Sequence, residues 1–523
     1  MNRKKIWLLF LLGVLCVQSL TAQSSNIKPR IIITADPELD DLNSLIRFLL
    51  YSTDFRIEGL VYASSQFHWK GDGKGTKFMV PGREYTRYGL NLCPCESYRW
   101  KKDERFIHEA VEAYEKSYPN LIVHNKNYPT PAYLKSKIRY GNIEFEGDFS
   151  KDTEGSDLIK SVLMDNVPGP VFVTAWGGQS TIARALKSIE LSYSKRKDWN
   201  TIKKKVSSKL VILPSGDQDG TYATYIKPNW PDVEYRQFRG GPSYSYGAQL
   251  IPDQNNAPFL TASWMKENIS SKGAFGMLYR VWGDGKQMVK DDRFDYFGMD
   301  GYTNEQLKQM GYIVWMPVQP KGSWLGEGDT FTFMNLLDNG LNATNKRNPG
   351  GWAGRIMTPE FTPTTDPFSN DTSKNKDLVI SDSLLKANAA KRADEAEFPP
   401  FFPAAQNDFA ARMHWSVTTE YKKANHAPVI LSGSTRIAAK PGNALVISTT
   451  VKDPDGDKTV SKWWQFRTSK QEPFLEIDQA NPEKTTLFIP KNAPKGQRLF
   501  VVMEVSDNGT PSMTSYKIIE LIL

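Results

Sequence analysis

The sequence predicts an α/β fold, a mostly parallel open sheet flanked by helices, followed by an all-β, immunoglobulin-like sandwich. Two observations predict the first part. Short apolar runs recur along residues 27–425, each ending in a small or acidic turn. Each turn gives way to apolar residues at helical spacing, as buried parallel strands with covering helices require. A third observation predicts the second part. After Asn425-His426-Ala427-Pro428 the apolar residues alternate in period two between Asp-, Asn-, Gly- and Pro-rich turns. The expected divisions are a leader over 1–22, an α/β domain over 27–425 and a sandwich over 428–523; 523 residues suffice for them.

The leader carries Arg3, Lys4 and Lys5, then an apolar run from Ile6 to about Val17, then Thr21-Ala22-Gln23. That is the pattern of a secretory signal peptide, too short to span a membrane, and it predicts a secreted or periplasmic protein. Cys16 follows Leu15 rather than a small residue, so ordinary cleavage near Ala22 is expected, not lipid anchoring. No later segment is apolar enough to cross a membrane. The net charge of +8 drops by three when the leader is removed, and Lys203-Lys204-Lys205 reads as a solvated helix face. Nucleic acid is not implied as a partner. Cys93 and Cys95, one residue apart, are expected not to bridge each other.

The first strand–helix unit, residues 31–50, holds the main candidate site. Ile31, Ile32 and Ile33 run into Asp36, Asp40 and Asp41, and Leu42, Leu45, Ile46, Leu49 and Leu50 follow at helical spacing. One aspartate there would be an ordinary helix cap. Three so close repel one another unless a cation or captured protons offset them, and ligands of open α/β sheets sit beyond the strands' carboxyl ends. The next strand, 55–62, leads to His68 on the same edge. Residues 70–140 are irregular apart from a helix near 104–118 and read as an insertion, with Tyr85, Tyr88, Tyr98 and Trp100 lining a cleft or its own core. A helix over 156–164 leads to the strand 170–175, the turn Trp176-Gly177-Gly178 and a further helix. The strand 209–214 ends at Asp217 and Asp219, with Asn229 in the next turn. The run 312–318 predicts another strand, and Gly326-Glu327-Gly328-Asp329 precedes a helical stretch over 331–337. Acids thus recur at strand ends. Residues 344–391 form a polar excursion, and 406–415 a helix closing the domain. In the sandwich, 444–451, 498–505 and 516–523 are strands, and at most one of Trp463 and Trp464 enters the core. The turn Asp453-Pro454-Asp455-Gly456-Asp457 suits either calcium or a tight acidic turn.

Residues 32–41 resemble the amino-terminal signature of the nucleoside hydrolases, an apolar strand followed by Asp-x-Asp-Pro-Gly-x-Asp-Asp. Asp36-Pro37, Asp40 and Asp41 match; Thr34 replaces the first Asp and Glu38 the Gly. The order DDxxSL, GGQ, SGDQD, NWPD, GEGDT and QNDFAARM is similar to the secreted nucleoside hydrolase-like family often labelled cellulose-binding, which carries a sandwich after its hydrolase-like domain. The resemblance implies a calcium held by Asp36, Asp41, Asp329 and the Trp176 carbonyl. It implies Asp36 as the base for the water, and Asp40 bonded to a sugar hydroxyl. Asp217, Asp219 and Asn229 fall where that family places further sugar contacts. The family's late histidine is missing, leaving Glu327 or His68 as the acid. The expected function is a secreted calcium-dependent glycoside hydrolase acting on a ribosyl or arabinosyl-like bond in a glycan or nucleoside. The alternative is a non-catalytic carbohydrate-binding protein on the same core. A homo-oligomer stays open.

Overall fold

The structure, a computed structural model, describes residues 28–357 and 394–523, except Pro252, Ser432, Pro482 and the side chains of Arg87 and Tyr88. The expected leader over 1–22, most of the excursion over 344–391 and the side chain of Tyr88 lie outside the described residues. The central sheet comprises β1 (Arg30–Ala35), β2 (Arg56–Tyr62), β3 (Ile138–Tyr140), β4 (Val171–Ala175), β5 (Leu210–Pro214) and β6 (Glu234–Tyr235). They lie in the order β3-β2-β1-β4-β5-β6, and every pairing is parallel. β1 is buried on both faces, as a central parallel strand must be. Its side chains alternate: Ile31 and Ile33 join the core layer under α1 (Leu39–Leu50), α2 (Phe106–His124) and the helix Phe402–Trp415. Ile32 joins the opposite layer, covered by the helices Glu154–Met164, Ser180–Tyr193 and Trp199–Lys209. The chain leaves β1 toward β2 on one side while β4 flanks it on the other. The crevice between the carboxyl ends of β1 and β4 is therefore the topological switch point, where open α/β sheets bind ligands.

Three expectations need correction or settling. Residues 312–318 form no strand; Tyr312, Val314, Trp315, Met316 and Val318 instead cover a side cluster around Trp282, Tyr296 and Phe297. Their apolarity served a satellite core, which periodicity does not distinguish from a sheet. Glu327 and Asp329 consequently arrive on a loop, not at a strand end. Cys93 and Cys95 are joined in a disulfide, because the turn at Pro94 brings their Cα atoms to 4.5 Å. Within the insertion, Tyr85 and Tyr98 pack with Trp69, Cys93 and Phe294 in a core of their own, and Trp100 is buried in the main core.

The carboxy-terminal part is all-β. One sheet orders Arg436–Ala438, Thr514–Ile522, Arg498–Asp507 and Thr459–Gln465, a second orders Ala444–Ser448, Lys484–Phe488 and Glu476–Ile477, and Val429–Ile430 pairs with Val451–Lys452. Pairings are antiparallel except that of Arg436–Ala438 with Thr514–Ile522. Ile447 and Leu487 from one sheet meet Trp463, Val501, Met503 and Leu521 from the other in one core. Trp464 turns outward, onto Phe401 and Phe466. The sandwich is stitched to the α/β part by Tyr516 and Ile518, whose N–H groups donate to the Asn339 and Gly340 carbonyls at 3.0 and 3.1 Å.

Candidate metal centre

β1 ends at Ala35, and the next residues turn into α1 without a side-chain cap, so the aspartates are free for other work. Asp36 is fully buried, at 0 % exposure. Its N–H donates to Asp41 Oδ1 at 3.1 Å, and its Oδ2 accepts the Ser65 hydroxyl from the loop after β2. Its Oδ1 is buried and has no donor. Asp40 accepts from Tyr246 Oη at 3.0 Å and from the Gly328 N–H at 3.1 Å. Asp329 accepts the Ser215 hydroxyl from the loop after β5, and its N–H donates to Ser44 Oγ of α1 at 3.3 Å. Carboxylate oxygens of Glu38, Asp40 and Asp41 lie within 4.8 Å of one another, and ligand atoms of Asp36, Glu38 and His68 do the same. Asp329 stands beside Asp41, within side-chain hydrogen-bond reach of it, and its charge bears on the Asp41 carboxyl.

Burial with too few donors dominates the electrostatics. Desolvation first, then the neighbouring Asp40 charge, pushes Asp36 up to about 7 against the opposing Ser65 hydrogen bond. Desolvation pushes Asp40 up to about 6, against the hydrogen bonds of Tyr246 and Gly328. Asp41, Asp329 and Glu38 are raised well above the carboxylate range by desolvation first, and then by neighbouring charges, that of Asp329 on Asp41 and those of Asp40 and Asp36 on Asp329 and Glu38. Burial and mutual repulsion oppose ionisation of the whole set, and a cation would offset both. An all-oxygen donor set with an unsatisfied oxygen at its centre fits a hard divalent ion such as calcium.

The surrounding glycines are explained by the same crowding. A Cβ on Gly177 would sit 3.0 Å from Asp36 Oδ1, and one on Gly328 would collide with Asp40 Oδ2. A Cβ on Gly178 would collide with Asp219. The Trp176 carbonyl stands at the end of β4 and accepts from Gln218 Nε2 at 2.5 Å. His68 is buried, and its Nδ1 lies 2.8 Å from the Arg99 carbonyl, which can only accept. Burial holds the ring neutral, so Nδ1 carries the proton and the unpartnered Nε2 presents a lone pair beside Asp36 and Glu38.

Other candidates are engaged elsewhere. Glu327 is fully buried and accepts from Arg47 Nε at 2.5 Å, Tyr279 Oη at 2.6 Å and Thr330 Oγ1 at 2.9 Å. It ties the loop that carries Asp329 to Arg47 of α1. Asp219 caps the helix Ser180–Tyr193 through the Ser180 N–H at 2.9 Å. Asp217, pushed up to about 6 by burial and Asp219, accepts from the N–H groups of Tyr222 and Ala223. Asn229 donates to the Tyr225 carbonyl at 2.8 Å within its own turn. Thr34 donates to the Thr174 carbonyl at 2.8 Å, tying β1 to β4.

Sequence reasoning missed Ser65, Ser215, Tyr246 and Asn43. Asn43 bonds the Arg280 and Gly326 carbonyls at 3.0 and 2.9 Å and so fixes the loop bearing Asp329. The signal was the polar set Asn43, Ser44 and Arg47 among the apolar residues of α1 that follow Asp40 and Asp41. Two surface cavities lie elsewhere, one by Trp100 and Tyr140, the other by Phe398, Trp464 and Tyr516, and neither is lined by the carboxylates.

Residues 30–356 match the family described as "Cellulose-binding Sde182, nucleoside hydrolase-like domain", and residues 445–521 the "Cellulose-binding protein Sde0182, C-terminal domain". Among solved structures, a nucleoside hydrolase-related hypothetical protein from Saccharophagus degradans, associated with carbohydrate metabolism, has a TM-score of 0.65 at 22 % identity. The match covers 95 % of this chain and 99 % of that one, and it shows a shared fold. Titin domain M7 (TM-score 0.14, 11 % identity, 19 % of this chain and 94 % of that one) matches only a short part. So does the endo-fucoidan hydrolase MfFcnA4 of glycoside hydrolase family 107 (TM-score 0.13, 21 % identity, 18 % and 14 %). No curated protein matches. With more than half its length under one family description, the chain belongs to the cellulose-binding Sde182 family, whose first domain is nucleoside hydrolase-like.

Proposed function

We propose that this chain is an exported, calcium-dependent glycoside hydrolase that cleaves a ribosyl or arabinosyl-like furanosyl bond in a glycan or nucleoside. The observation that carries the reading is Asp36 Oδ1, a buried oxygen without a donor among mutually repelling carboxylates at the switch point. Depth orders the roles. Asp36, Asp41 and Asp329, at 0, 1 and 3 % exposure, would hold the ion with the Trp176 carbonyl, while Asp40 at 8 % and the half-buried Glu38 lie nearer solvent. A bound divalent cation lowers the pKa of a water and engages a sugar diol.

The chain's own residues do the rest. Asp36, oriented by Ser65, accepts the proton of the attacking water. Asp40, oriented by Tyr246 and Gly328, accepts a sugar hydroxyl and offsets the positive charge that builds on the ring. Glu38 is kept protonated by burial and by the charges of Asp40 and Asp36, and donates its proton to the leaving oxygen as the glycosidic bond breaks. His68 Nε2 accepts a substrate hydroxyl. Water enters from the face opposite the leaving group, and the anomeric carbon inverts.

The test is turnover of aryl furanosides, nucleosides and plant glycans by protein of known calcium content. Asp36→Asn should abolish cleavage, and Glu38→Gln should slow poor leaving groups far more than nitrophenolate. Full activity of Asp36→Asn would refute the reading. A second reading, glycan binding without turnover, is favoured by the engagement of Glu327 with Arg47; retention on a glycan without cleavage would support it.

A further inference from the structure

The turn Asp453-Pro454-Asp455-Gly456-Asp457 lies in the sandwich, apart from the first centre. Ligand oxygens of Asp453, Asp455 and Asp457 lie within 4.8 Å of one another, the span of two oxygens on opposite sides of one calcium. An acidic turn of this kind is common without an ion. Three unsatisfied atoms from three separate segments set this one apart: Asp453 Oδ2, Asp507 Oδ2 and Asn425 Oδ1 are all buried and have no partner. Asp507 is 6 % exposed and Asn425 7 %.

The segments are held together. Asn425 Nδ2 donates to Asp507 Oδ1 at 3.0 Å and to the Pro511 carbonyl at 2.8 Å, leaving its own oxygen free. Asp507 Oδ1 also accepts the Gly509 and Met513 N–H groups at 3.1 and 2.9 Å, so every donor is spent on one oxygen of that carboxylate. The His426 N–H donates to Asp455 Oδ2 at 2.7 Å, which lays the segment bearing Asn425 against the acidic turn. Asp453 is close enough to raise Asp507 by its charge. Lys458 N–H donates to Asn508 Oδ1 at 2.9 Å, closing the turn onto the Asp507 loop.

We propose that Asp453, Asp455, Asp457, Asp507 and Asn425 form a second calcium site at the junction between the α/β part and the sandwich. Five side-chain oxygens, four of them carboxylate, suit calcium, which accepts six to eight ligands in irregular geometry; magnesium retains several waters. The site has a mechanical role. His426 carries Asp455 to the α/β part, stacking on Tyr421 at 3.8 Å and placing Nε2 3.1 Å from His124 Nδ1 of α2. An ion bound at Asp455 therefore stiffens the one covalent passage from residue 425 to residue 428.

Calcium binding to the metal-stripped full chain tests this by equilibrium dialysis and by terbium luminescence, which Trp415 and Tyr421 would sensitise. Asp453→Asn should lose one calcium equivalent relative to the parent, and the terbium signal with it. Asp36→Asn should keep that signal. Should Asp453→Asn fail to fold, Asp457→Asn at the turn's edge should lower the affinity at least tenfold. An unchanged stoichiometry and terbium signal in folded Asp453→Asn or Asp457→Asn would overturn the proposal, whatever the first centre binds.

Discussion

Replacing Asp41 with Asn should stabilise the metal-free protein while abolishing its response to calcium at the first centre. Asn keeps the Oδ1 acceptor that receives the Asp36 N–H at 3.1 Å, so the turn stays intact. It removes one charge from a set whose oxygens lie within 4.8 Å of one another. At that distance and an effective dielectric of about 20, a fully ionised pair repels by about 3.5 kcal/mol. Partial protonation reduces the gain to an expected ~2 kcal/mol near pH 8. Asp41 is raised in the folded state, so its contribution to stability is complete below the ordinary carboxylate pKa and is lost as pH rises through the raised value. The advantage of Asp41→Asn should accordingly grow as pH rises above the ordinary carboxylate range. Thermal melts in chelator and in calcium read this out, with a shift of several degrees for ~2 kcal/mol. A variant less stable than the parent in chelator, yet still stabilised by calcium at the first centre, would refute the cation reading.

Three more outcomes follow from the same geometry. Arg47→Met strands the buried Glu327 carboxylate and should cost about 3–5 kcal/mol in a thermal or urea melt, with Arg47→Met/Glu327→Gln recovering much of it. Gly328→Ala should displace Asp40 and lower kcat at least tenfold on an active substrate, with little change in melting temperature. Asp36 and Asp40, at about 7 and about 6, must release protons to take up a cation. Calorimetric calcium affinity at the first centre should thus fall roughly tenfold per pH unit for each proton displaced as pH drops below about 7.

The parallel sheet was legible in the sequence because apolar runs such as Ile31-Ile32-Ile33 and Leu210-Val211-Ile212 are buried on both faces and end in turns. The convergence of Asp36, Asp40, Asp41 and Asp329 was hinted at by acids recurring after apolar runs and specified through the family resemblance, since no spacing rule brings residue 329 to residue 36. What locks Asp329 in place is Asn43, Ser44 and Arg47, whose polar side chains inside an apolar helix report long-range partners that sequence alone cannot name. The strand expected over 312–318 failed for the converse reason, because an apolar run carries no record of which core it joins. Glu38 stands where the family signature has Gly, and only the fold sets it beside Asp36 and His68. The orphaned oxygens of Asn425, Asp453 and Asp507 belong to segments far apart in the chain and become one site only in the fold.

Anomalous diffraction from crystals grown in calcium, at a wavelength where calcium scatters, tests the cation site most directly. A peak within coordination distance of Asp36, Asp41, Asp329 and the Trp176 carbonyl oxygen is the expected result. No peak at that position under saturating calcium, with the four groups hydrogen-bonded only to protein and water, would contradict it.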